Sequence, residues 1–95
     1  MESLVDVMRV VVEPAVRAVL TDRELTSMHL TRDQLVGYSL SLVAVGETFQ
    51  DWVVQDGVPH LTLADWRERL RSNLVDFVAE SGFGWGQDRE HGPPA

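Results

Sequence analysis

The sequence predicts an all-α fold, a small three- to four-helix bundle. Apolar residues recur at three- and four-residue spacing in three separate stretches, and two Ser/Thr-led capping patterns mark helix starts. With 95 residues the chain has room for one modest core, since a domain this short buries only about 60 to 65% of its unfolded surface. The bundle is expected over residues 1–81, and a flexible Gly/Pro-containing tail over 82–95.

Leu4, Val7, Met8, Val11, Ala15, Ala18 and Val19 mark the apolar face of a first helix from about Ser3 to Leu20. Pro14 lies inside it, so a kink or break is expected near Val10 to Glu13. The β-branched run Val10-Val11-Val12 admits a strand ending at Pro14 as the alternative. From Thr21-Asp22 a polar connection runs to about Leu35, with a capping pattern at Thr31 and Gln34. Leu42, Val45, Phe49, Trp52 and Val53 then predict a second helix ending near Gln55, before the turn signal Asp56-Gly57 and Pro59. Thr62 and Asp65 predict the N-cap of a third helix, whose face is Leu63, Trp66, Leu70, Leu74, Phe77 and Val78. Trp52, Trp66, Phe49 and Phe77 read as core aromatics, and Arg67, Arg69 and Arg71 around Glu68 as a solvated face.

The composition narrows the chemistry. Fifteen carboxylates against eight arginines give a formal net charge of −7, which repels nucleic-acid phosphates and anionic membranes and attracts basic protein surfaces. There is no cysteine, no basic leader and no apolar run of membrane-spanning length, so a cytoplasmic protein is expected. His29, His60 and His91 lie far apart in predicted loops or the tail, none with a second histidine at helical ligand spacing, and no metal is expected. Gly37-Tyr38-Ser39-Leu40-Ser41 departs from the hydrolase elbow at its second glycine, and no phosphate-binding loop is present, so no enzymatic activity is expected.

Leu35-Val36-Gly37-Tyr38-Ser39-Leu40 carries the one suggestion of covalent chemistry. It resembles the L-G-G-[HD]-S-L attachment motif of acyl and peptidyl carrier proteins, with Val36 and Tyr38 departing from the pattern. Leu42 to Phe49 looks like that family's second helix, and Asn73-Leu74-Val75-Asp76-Phe77-Val78 is similar to its closing helix. The resemblance implies that Ser39 receives 4'-phosphopantetheine at a helix start, where unpaired amides would favour the phosphodiester. It also implies that Leu40, Val43, Glu47 and Asp51 face partner proteins, a phosphopantetheinyl transferase and synthase-type enzymes, to which an acyl or aminoacyl group is delivered.

Two other readings stand beside it. Leu35, Tyr38, Leu42, Val45, Phe49 and Trp52 also form a continuous helical stripe, which would place Ser39 within a helix starting near Thr31. The chain would then be a non-catalytic acidic interaction or regulatory module, including a carrier fold that has lost its arm.

Overall fold

The computed structural model describes residues 3–58, 60–90 and 92, and Pro59, His91 and the last three residues of the expected tail lie outside them. In place of an all-α bundle it has an α/β fold, two helices packed on one face of a three-stranded antiparallel sheet. The carrier-like bundle is therefore overturned. The segment expected to form the connection and the second helix is a β-meander.

Helix α1 spans residues 4–19 as an α-helical turn Leu4–Asp6, a π-helical stretch Val7–Val12 and a further α-helix Glu13–Val19. Ser3 caps it, its hydroxyl accepting from the Asp6 amide at 3.1 Å. Pro14 has no N–H to donate, and its ring would crowd the Val10 carbonyl in a regular α-helix. The widened turns just before it absorb that conflict, with the Glu13 amide reaching back to Met8 O, so the helix continues without a break.

Strands β1 (Leu25–Asp33), β2 (Gly37–Ala44) and β3 (Glu47–Gln55) follow in spatial order β1-β2-β3. Asp33 closes the first connection, its carboxylate accepting from the Leu35 and Val36 amides at 2.8 and 3.0 Å. Val45-Gly46 makes the second, a two-residue hairpin turn with both residues at positive φ. A bulge opposite Tyr38 and Ser39 leaves Val53 as the extra residue of β3. Beside it the Gly37 backbone presses so closely on the Val54 carbonyl that a side chain would overlap it.

Helix α2 runs Leu63–Glu80 from the capping box of Thr62 and Asp65. Its buried stripe, Trp66, Leu70, Leu74, Val75 and Val78, meets Val7, Val11, Val12, Ala15, Val16 and Val19 of α1. The sheet completes this core with Tyr38, Leu40, Leu42 and Ala44 of β2 and Val53 and Val54 of β3. Of the aromatics expected inside, Trp66 is buried, whereas Phe49 and Phe77 pack at the core's margin, ring centroids 5.3 Å apart.

Past α2 the chain turns back as a strap over residues 81–90. The Ser81 hydroxyl donates to Val78 O at 2.7 Å, the Gly84 amide donates to Ser81 Oγ at 3.0 Å, and the Gly86 amide reaches Ala79 O. Arg89, 3% exposed, closes the strap. Its guanidinium donates to both Glu24 oxygens at 2.6 and 2.9 Å, to Val19 O at 3.1 Å and to Gln87 Oε1.

Candidate functional site

Cross-strand register decides what the sheet shows on the side away from the helices. Because successive side chains alternate, the residues paired with the odd-numbered positions of β2 share its outer face. They form three central rows, Thr31, Ser39 and Trp52; His29, Ser41 and Gln50; Ser27, Val43 and Thr48, and an end row of Asp33, Gly37 and Gln55 beside the first turn. All nine residues of the central rows are partly or fully exposed. Ser39, Leu40, Ser41, Gln50, Asp51 and Trp52 line a shallow depression of about 340 Å³ there.

The nine side chains of the central rows include no Asp, Glu, Lys or Arg, although the chain carries −7. The strands do hold charged residues, but on the other side or at the ends. Arg32 pairs with Asp56 at 2.8 Å and lies over the Tyr38 ring, 4.9 Å from its centroid. Asp51 accepts from Asn73 of α2 at 2.7 Å, and Glu47 accepts from the Gly82 amide at 2.8 Å. Asp33, at the last position of β1, is engaged in the turn it closes. Other exposed carboxylates, such as Asp22, Asp65, Glu68, Asp76, Glu80 and Asp88, lie on helices, turns and the strap.

The residues expected to form a carrier surface are separated by this arrangement. Ser39 and Val43 share the open face, while Leu40, 1% exposed, points into the core. Glu47 and Asp51 turn toward α2 and the strap, so no acidic helix surrounds Ser39. Ser39 lies within β2, neither at a helix start nor inside a helix running from Thr31. The amides that would receive a phosphodiester at a helix terminus are absent from its surroundings, and no cation stands on the open face to compensate one. Ser39 thus lacks the helix-start setting that the resemblance implied for a phosphopantetheine arm.

Sequence reasoning passed over Ser27, His29, Thr31, Ser41, Thr48 and Gln50 and assigned Trp52 to the core. The available signal was the alternation Ser39-Leu40-Ser41-Leu42, polar side chains outward and leucines inward. Among the described residues no group of His, Asp and Glu side chains could hold a metal ion, and no helix is long and apolar enough to cross a membrane. Compared with protein-family models, curated proteins and solved structures, the chain shows no match.

Proposed function

We propose that the chain is a non-catalytic protein-interaction module that docks the open face of its sheet onto a protein surface which is itself uncharged. The observation that carries this reading is the absence of Asp, Glu, Lys and Arg from the three central rows of the outward face in a strongly acidic protein. A sheet face left in water is well served by charged side chains, whereas charge depletion around an aromatic residue is the compositional mark of an interface centre. Trp52 supplies the aromatic, and Ser, Thr and Gln side chains supply adaptable donors and acceptors. The same face lacks the cations that a phosphate, nucleotide or carboxylate ligand would need.

Position-specific photo-crosslinking in the producing cell tests the proposal. A photoreactive residue at Gln50 should give covalent protein adducts that disappear on adding Ser41→Arg, while one at Ser72, exposed on α2, should not. Equal yields from the two positions, or none from Gln50, would refute docking through the sheet.

A further inference from the structure

We infer that Asp56 is a site of spontaneous isomerisation to isoaspartate and that Arg32 restrains it. Asp56 is the one Asp or Asn of the chain that precedes a glycine. A glycine amide is the least hindered backbone nucleophile, because no side chain stands beside it. The pair lies in the exposed turn between β3 and α2, where Gly57 holds a φ of 79° and a carbon in the place of its missing side chain would meet nothing within 4 Å. The Asp56 amide is engaged, donating to Val36 O at 2.7 Å, whereas among the described residues the Gly57 amide has no acceptor.

In the first step the Gly57 nitrogen attacks Cγ of Asp56. An N–Cγ bond forms, the amide proton and a carboxyl hydroxyl leave as water, and a five-membered succinimide closes. Water then opens the ring at one of its two carbonyls. Opening at Cγ restores aspartate; opening at the former backbone carbonyl leaves the main chain running through Cγ and a carboxylate on Cα. The water lost in closing the ring is regained in opening it, so the mass is unchanged and no reactant other than solvent takes part.

Arg32 sets the rate. Its Nη2 donates to Asp56 Oδ2 at 2.8 Å, and its guanidinium lies over the Tyr38 ring, 4.9 Å from the centroid. A carboxylate held in this ion pair is turned toward the end of β1 and keeps an ionised oxygen, which cannot leave as water. The pair is open to solvent, its side chains 36% and 45% exposed, so it holds weakly and the reaction still proceeds. Isomerisation inserts one carbon into the main chain between Gln55, which pairs with Gly37, and Gly57, and it moves the carboxylate off the side chain that reaches Arg32. The tie between the end of β1 and the β3–α2 connection is lost as the protein ages.

Storage of the full chain for some weeks at physiological temperature in mildly acidic buffer provides the test. The proteolytic peptide spanning Asp56 and Gly57 should split into two chromatographic forms of equal mass, the new one accepting a methyl group from protein isoaspartyl methyltransferase. Asp56→Glu, which would have to close a six-membered ring, should give no such form. Arg32→Gln should isomerise about two- to five-fold faster than the wild type, the range an exposed ion pair can withhold. Should Arg32→Gln lose the wild-type circular dichroism, added salt makes the same comparison in the wild type, because screening the exposed pair should speed the reaction. A wild type free of isoaspartate at Asp56, or an Asp56→Glu protein that still yields the methyl-accepting form, would overturn the site. A rate that neither Arg32→Gln nor salt raises would overturn the restraint by Arg32.

Discussion

Arg89 and Val45 show what single residues contribute to this fold. The Arg89 side chain satisfies the carboxylate of Glu24 and the last carbonyl of α1 while itself buried, so truncating it strands a partly buried carboxylate. Arg89→Ala should lower unfolding stability by about 3 kcal/mol, read from urea midpoints. The hydrogen bond from Arg89, aided by Thr21, holds the Glu24 carboxyl below the ordinary glutamate range. Because the folded value is the depressed one, this stabilisation is present above the unfolded glutamate pKa and is lost as pH falls through the folded value. Acid titration of stability should therefore be shallower in Arg89→Ala than in the wild type. Val45 has the opposite sign. A β-branched residue at φ 50°, 51% exposed, occupies a turn position that suits Asn, so Val45→Asn should raise stability by about 1 kcal/mol in the same assay.

At the scale of elements, the parts readable in the sequence were those with end signals. Thr62 and Asp65 announced α2, and the capping box they form is present; Thr62→Ala should cost about 1 kcal/mol by thermal or urea unfolding. Ser3 and the stripe through Val19 likewise marked α1, and Pro14 marked the place where its hydrogen-bond register changes. The strands were hidden by a coincidence of spacing. Leu35, Tyr38, Leu42, Val45, Phe49 and Trp52 recur every three or four residues, yet in the folded chain they are scattered over two turns, the core side, its margin and the open face. The competing period of two, Tyr38-Leu40-Leu42-Ala44, runs only through β2. It gives way at the Val53 bulge in β3 and is diluted in the edge strand β1, where inward Met28 and Leu30 are only partly covered. The open face became visible only with the register, because its members come from three strands separated by turns.

In the molecule as a whole the strap also has an electrical role. Glu47 at the start of β3 meets Gly82 just past α2, and Val19 at the end of α1 meets Arg89, so the two helices run parallel and finish at the same end. Their peptide dipoles add there instead of cancelling, and each brings about half a negative charge. Helix α2 has no basic residue in its last turn and ends in Glu80, which worsens the excess. Arg89, arriving from nine residues further along the chain, caps the α1 end through Val19 O while paired with Glu24, and the strap before it caps α2 through the Gly86 amide on Ala79 O. A chain ending at Gly82 should accordingly lose helical ellipticity at the C-terminal ends of both α1 and α2, not at α2 alone. Amide hydrogen exchange would register this as faster exchange in residues 16–20 as well as in 76–80.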